Sequence, residues 1–225
     1  MKRIGVLGGM GPEATILFQQ RLLDAVPAED DCDHVPLLID MNPQVPSRIA
    51  HLIEGTGGDP APVLADMARR VQAAGAEALA MPCNTAHSYA PSITAAVDIP
   101  LLNMVTLSAE RAGKGKIGIL ASPATRITGV FDAALEQVGA TPVWPEEDAP
   151  LLHAIRIIKA NGATPEARDI LRATSEELLA NGAETQVIGC SEFSLIAEAA
   201  TPEARVIDTL DVLVAAAVAF SGGTG

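Results

Sequence analysis

Aromatic residues are scarce in this sequence: one Trp, one Tyr and four Phe in 225 residues. A core must therefore be built from Ala, Val, Leu and Ile, and a 48% hydrophobic content supplies enough for one large domain or two small ones. Cysteine is almost as rare. Three thiols cannot all pair, so no disulfide framework is expected and each thiol has to be read for its reactivity. Positive charge is also short, with 15 Lys and Arg against 28 Asp and Glu. The resulting net charge of −13 argues against nucleic-acid and anionic-membrane partners, and it means that any anionic ligand must be held by locally placed cations. No apolar run approaches the roughly 18 residues that a membrane span needs. The apolar run in the opening MKRIGVLGGMG is too short for a signal peptide and turns directly into a Gly-rich loop, which makes the cytoplasm the expected compartment. There is no Walker loop, no His-Glu-x-x-His pair and no G-x-S-x-G elbow. Gly8-Gly9-Met10-Gly11 lacks the full dinucleotide spacing, and its glycines suit a close approach of backbone to ligand better than phosphate binding. No metal site is expected, because the cluster around Cys32, Asp30 to His34, fixes no third and fourth ligand.

What is present is an alternation of strand-like and helix-like segments. Ile4–Leu7 reads as a strand, followed by a glycine loop and a helix from Pro12 to about Ala25. Leu37–Met41 reads as a second strand leading into Asn42-Pro43-Gln44-Val45-Pro46-Ser47-Arg48. A helix over Pro62–Ala74 stops at Gly75, and it is followed by a strand at Ala78–Met81, a helix around Ser92–Ala96 and a strand at Pro100–Met104. Such alternation predicts an α/β fold with parallel sheet.

The second half replays the first. Lys116-Ile117-Gly118-Ile119-Leu120 echoes Arg3-Ile4-Gly5-Val6-Leu7, Val187-Ile188-Gly189-Cys190 echoes Ala80-Met81-Pro82-Cys83, and Arg205-Val206-Ile207-Asp208 echoes Pro100-Leu101-Leu102-Asn103. The separations shorten steadily, 113 residues from Gly5 to Gly118, 107 from Cys83 to Cys190 and 105 from Asn103 to Asp208, as loops of unequal length would produce. The expectation is two pseudo-symmetric α/β lobes, each a parallel sheet flanked by helices. Residues 1–104 plus 209–225 form one, with the C-terminal helix Leu210–Phe220 packing back on it, and residues 105–208 form the other. Ligands of open α/β sheets bind at the carboxyl ends of strands, so a site in the cleft between the lobes is expected, with Cys83 and Cys190 at equivalent strand ends.

Two thiols on opposite faces of a bound carbon have a specific use. One, as thiolate, removes a proton, and the other, as thiol, delivers one to the far side, which inverts a stereocentre without a cofactor. The carbanion that develops beside a carboxylate needs fixed donors and positive charge, and one thiol needs a lowered pKa. Asn84-Thr85 is a good N-cap pair, so a short helix starting there would direct its positive end at Cys83. His87, one turn beyond Cys83, reads as a structural hydrogen-bonding residue.

Gly8-Gly9-Met10-Gly11-Pro12, the Asn42–Arg48 loop, Met81-Pro82-Cys83-Asn84-Thr85-Ala86-His87 and Gly189-Cys190-Ser191-Glu192 together resemble the aspartate/glutamate racemase family, most strongly its aspartate branch. The resemblance implies a cofactor-independent amino-acid racemase, commonly a homodimer, in which Cys83 and Cys190 are the acid/base thiols. It also places Met10 among the substrate-binding positions. Asn84, Thr85 and Ser191 would hold the α-carboxylate and amino group, Arg48 would pair with a substrate carboxylate, and Lys159 would meet the distal carboxylate. Ser191 stands where Thr is more usual, which keeps the hydroxyl. Ile155 stands where a tyrosine is expected, which would alter side-chain recognition. Rival readings are a hydantoin racemase, a maleate isomerase, a decarboxylase of arylmalonate type, which needs only one thiol, and a two-lobed receptor for a small acid.

Overall fold

In the computed structural model, which describes residues 1–222, the chain divides into two units, Met1–Met104 with the segment from Leu210, and Val105–Thr209. The first is built on β1 (Ile4–Gly8), β2 (Leu37–Met41), β3 (Ala78–Ala80) and β4 (Leu101–Leu102), all parallel, in the order β2-β1-β3-β4. A central parallel strand is covered on both faces, which is why β1 is buried at every residue and reads as a continuous apolar run. Gly5 belongs to that logic, since a Cβ there would lie 2.7 Å from the Val71 side chain. The helices are α1 (Pro12–Asp24), α2 (Ala61–Ala73) and α3 (Ala90–Thr94). Pro12 and Pro62 sit in the first turns of α1 and α2, where a missing N–H costs nothing, and Gly75 closes α2 at φ 98°. The buried stripe of α2, Leu64, Met67, Ala68 and Val71, packs with Leu7, Leu79 and Met81, each fully buried large side chain contributing roughly 1.5–3 kcal/mol.

The second unit repeats the plan with β5 (Gly115–Leu120), β6 (Ala140–Val143), β7 (Thr185–Ile188) and β8 (Arg205–Asp208), parallel in the order β6-β5-β7-β8. Its helices are α4 (Met104–Ala112), α5 (Pro123–Thr128), α6 (Val130–Gln137), α7 (Ala149–Asn161) and α8 (Pro165–Ala180), the last capped by Thr164, whose hydroxyl accepts from the Ala167 N–H. Gln186, inside the apolar run of β7, is fully buried yet satisfied: its carbonyl accepts from the Ser175 hydroxyl at 2.6 Å and its amide donates to the Ser175 carbonyl at 2.8 Å. After β8 the chain enters α9 (Thr209–Ser221), which from Leu210 belongs to the first unit. The Lys2 N–H donates to the Ser221 carbonyl at 2.9 Å, and Arg21 of α1 pairs with Asp211 of α9 at 2.9 Å.

Some boundaries differ from the sequence reading. The expected strand over residues 100–104 is only two residues long, because Met104 already begins α4. The helix expected around residues 92–96 is preceded by a tighter turn over Thr85–Tyr89 and then runs over Ala90–Thr94, with Pro91 in its first turn.

The loops at the carboxyl end of the first sheet are tied to one another. The Gly9 N–H donates to the Thr15 hydroxyl at 3.0 Å, and the Asn42 N–H donates to the Gly8 carbonyl at 3.3 Å. Gly9 has φ 92°, and a Cβ there would lie 2.4 Å from the Asn42 carbonyl carbon, so the close approach that its sequence suggests is to the loop carrying Arg48. His87 fixes the cysteine loop in a similar way. Its Nδ1 lies 2.8 Å from the Cys83 carbonyl, and its Nε2 accepts from the Met104 N–H at 3.3 Å, an arrangement that the neutral Nδ1–H ring satisfies. Burial of this ring lowers its pKa from 6.5 to about 4.

Two outcomes are expected. Gly9→Ala meets both a positive φ and backbone, and it should lower stability by about 2–4 kcal/mol in denaturant titration. His87 is neutral when folded and titrates at higher pH when unfolded, so its contribution is complete above pH 6.5 and is lost as pH falls towards 4. The loss is roughly 3 kcal/mol. Unfolding midpoints of wild type and His87→Asn, compared at pH 7 and pH 4.5, should show a shallower pH dependence in the variant.

Candidate active site

Cys83 follows β3 in the loop Met81-Pro82-Cys83, where its N–H donates to the Met81 carbonyl at 2.8 Å. The tight turn Thr85–Tyr89 begins directly after Asn84, where the sequence puts a helix start, but Asn84 makes no side-chain cap bond. The reason is conformational. Asn84 has φ −62° and ψ −50°, already helical, whereas a capping side chain needs an extended backbone to reach forward. Cys83, Asn84 and Thr85 are all buried. Met10 is buried too, in one apolar cluster with Val45, Leu64, Ala86 and Cys83, so the glycine loop, the proline-rich loop and the cysteine loop meet around this thiol.

Arg48 is half-buried, and its guanidinium donates to the Pro46 carbonyl at 3.0 Å, which folds the side chain back on its own loop. Tyr89 lies at the end of the cysteine turn, its ring centroid 6.4 Å from that of His51. Burial first, and then the charge of Asp59, raise its phenol pKa against the opposing pull of Arg48, so it stays a neutral donor.

Cys190 occupies the equivalent place in the second unit. Gly189 follows the end of β7 and donates its N–H to the Leu120 carbonyl at 2.8 Å, and a Cβ on it would lie 2.8 Å from the Phe131 ring. Only glycine lets the strand pass Phe131 and deliver the next residue. The Phe193 N–H then donates to the Cys190 carbonyl at 2.9 Å and opens a short turn over Phe193–Leu195, leaving Ser191 buried.

The Cys190 thiol donates to Glu192 Oε2 at 3.0 Å, and Lys159 of α7 forms an ion pair with Oε1 of the same carboxylate. Burial, followed by the charge of Glu192 and this hydrogen bond, pushes the Cys190 thiol well above its ordinary pKa, and Lys159 offsets only part of that. Burial also works against the charge on Glu192, but Lys159 outweighs it and holds the carboxyl below the usual range. The structure therefore places the Lys159 ammonium on a carboxylate of the chain. Ile155, one turn earlier on α7, is buried at 2% exposure. The role of Glu192 went unread in the sequence; the signal was a carboxylate two residues beyond a cysteine, which a tight turn brings within reach of the thiol.

Cys32 is exposed, with its sulfur 3.9 Å from Asp33 Oδ1. Among the described residues no group of three His, Cys, Asp or Glu side chains is placed to hold a metal ion, and no helix is long and apolar enough to cross a membrane.

The chain is similar to known racemases in sequence and in fold. The chain is 28% identical to a glutamate racemase of Limosilactobacillus fermentum, in a match that covers 60% of this chain but only 53% of the relative, about half its length. It is 24% identical to the broad specificity amino-acid racemase RacX of Bacillus subtilis, with 92% of each protein covered. Among solved structures it superposes on the Picrophilus torridus aspartate racemase with a TM-score of 0.89 and 27% identity, covering 100% of this chain and 96% of that one. The model of the Asp/Glu/Hydantoin racemase family matches residues 7–217, and with that match over nearly the whole chain the protein belongs to this family.

Proposed function

We propose that this protein racemises an acidic amino acid, aspartate first and glutamate as the neighbouring substrate, by cofactor-independent proton transfer between two thiols. The observation that carries the reading is the repeated placement of one buried cysteine after the corresponding strand of two sheets of identical strand order, Cys83 beyond β3 and Cys190 beyond β7. A lone buried cysteine is ordinary core filling; the same residue at matched strand ends, each followed by buried hydroxyl or amide side chains, is a device with two halves. The likeness to the Picrophilus torridus aspartate racemase supports aspartate, and the matches to glutamate racemases keep glutamate in view.

In this mechanism one cysteine, as thiolate, takes the Cα proton, and the other, as thiol, protonates the opposite face. The product is the mirror image, and the two thiols have exchanged protonation states. Asn84, Thr85 and Ser191 hold the α-carboxylate and amino group, Met10 shapes the pocket wall beside Cys83, and Arg48 turns from its loop carbonyls to a substrate carboxylate. A cytoplasmic homodimer completes the reading.

Chiral chromatography of products formed from L-aspartate and L-glutamate by protein free of pyridoxal phosphate tests it. Wild type should convert L-aspartate towards a racemic mixture, and Cys83→Ala and Cys190→Ala should each reduce kcat by at least about a thousandfold, since each removes an obligatory proton carrier. Racemisation that survives either substitution contradicts the two-thiol mechanism. Arg48→Ala should raise KM for aspartate by roughly ten- to a hundredfold, the range for a lost charge-assisted hydrogen bond.

A further inference from the structure

The phenol of Tyr89 is a buried donor with nothing to donate to. Its Oη is shielded from water and has no hydrogen-bond partner. The neighbouring Ser88 hydroxyl is turned to the Thr85 carbonyl, to which it donates at 2.8 Å, and it acts on the phenol only weakly. A buried hydroxyl without a partner destabilises the fold, so its presence beside a candidate site points to a partner that arrives with a ligand.

The surroundings indicate the chemistry of that partner. Tyr89 packs on the apolar cluster that contains Cys83, Met10 and Val45, where the glycine, proline-rich and cysteine loops meet. The Arg48 charge acts on the phenol, opposing burial and Asp59, while its guanidinium rests on the Pro46 carbonyl of its own loop at 3.0 Å. A cation and a neutral O–H donor near one thiol suit a carboxylate, the first supplying charge and the second a directed hydrogen bond. Asp59, the carboxylate that acts on the phenol, is exposed to water, and its Oδ1 accepts from the Ala61 N–H at 2.9 Å. Solvent screens its charge, so it does not forbid an anion at Arg48.

We propose that Tyr89 is a substrate-binding residue, and that its O–H and the Arg48 guanidinium together hold one carboxylate of the substrate beside Cys83. The inference rests on the racemase reading for the identity of the ligand, an acidic amino acid, but carboxylate binding can be measured without turnover.

The segment from Arg48 to Asp59 borders the phenol and controls access to it. The His51 ring lies 6.4 Å from the Tyr89 ring, and its Nδ1 is 3.1 Å from the Gly57 carbonyl. Ala50–Glu54 forms a wide π-helical turn that ends at Gly55 with φ 65°, and Gly57 and Gly58 follow. Such turns recur at functional sites. Arg48 stands at the start of this segment, so the movement that turns its guanidinium from Pro46 to a carboxylate also opens the path to Oη.

Tyr89 is the only tyrosine in the sequence, so protein made with tyrosine carrying carbon-13 at Cζ gives a single resonance that reports this phenol alone. The probe is succinate, a dicarboxylate without a stereocentre. Saturating succinate should move the resonance in wild type, and Arg48→Ala should need at least about tenfold more succinate for the same shift. Tyr89→Phe should weaken succinate binding in calorimetry, and raise KM for aspartate, by about tenfold or more, the range for a lost hydrogen bond to a charged group. The unfolding midpoint of Tyr89→Phe should equal or exceed that of wild type, because the unpaired hydroxyl is gone. A lowered midpoint would show the hydroxyl serving the fold and would overturn the proposal. So would succinate affinity within about twofold of wild type in Tyr89→Phe, or a resonance that stays in place while succinate binds. A Tyr89 response to succinate in a wild type that does not racemise would support the site and sink the proposed activity. Wild type that binds neither succinate nor L-aspartate would overturn both.

Discussion

A parallel strand cannot reach its neighbour through a tight turn, and this constraint governs both sheets. Each connection must cross over through a helix, so all carboxyl ends gather at one edge of the sheet and each opens into a loop. In the first unit, the loops after β1, β2 and β3 converge there, and Met10, Val45 and Cys83 share one buried cluster as a result. Glycine makes the convergence possible: Gly9 lets the first loop pass the second at backbone contact, and in the other unit Gly189 lets β7 pass the Phe131 ring before Cys190. The placement of each thiol thus follows from sheet topology and one or two positions without a side chain.

Electrostatics then differentiates two halves that topology makes alike. The chain carries a net charge of −13, and an additional buried carboxylate beside a thiol would be costly by itself. Lys159 tips the balance at Glu192, where burial and the ion pair oppose each other and the ion pair prevails. At Cys190 burial and the neighbouring carboxylate act in the same direction, so the thiol is favoured strongly. Cys83 has a different setting. Its loop is braced by the neutral ring of His87, which satisfies backbone groups at both nitrogens and contributes no charge. Sequence symmetry between the cysteines therefore coexists with chemical asymmetry.

Much of this architecture was legible in the sequence. Short apolar runs with internal glycine, Ile4–Leu7 and Lys116–Leu120, mark central parallel strands because those strands are covered on both faces, and the recurrence of cysteine after β3 and β7 follows from the same repeat. Long-range charge pairing was not legible. Lys159 and Glu192 are 33 residues apart, and nothing local joins them; a lysine near the end of an amphipathic helix looks the same whether its ammonium meets water, substrate or a buried carboxylate. Asn84 misled in another way, since its residue type favours capping, but the backbone is already helical there. Gln186 reads as an interruption of an apolar strand until Ser175 is seen to satisfy both ends of its amide.

The central claim is that two separate thiols serve one carbon, and the most direct test is the fate of hydrogen at Cα. Wild-type protein would be incubated with L-aspartate in D₂O and stopped while little product has formed, and deuterium would be measured separately in the remaining L-aspartate and in the D-aspartate. Two thiols predict deuterium in essentially all of the D-product and almost none in the recovered L-substrate, because the donor on the far face has exchanged with solvent while the base returns only the proton it took. Comparable deuterium in both enantiomers, or substrate-derived hydrogen retained in the product, would mean a single base acting on both faces and would contradict the account.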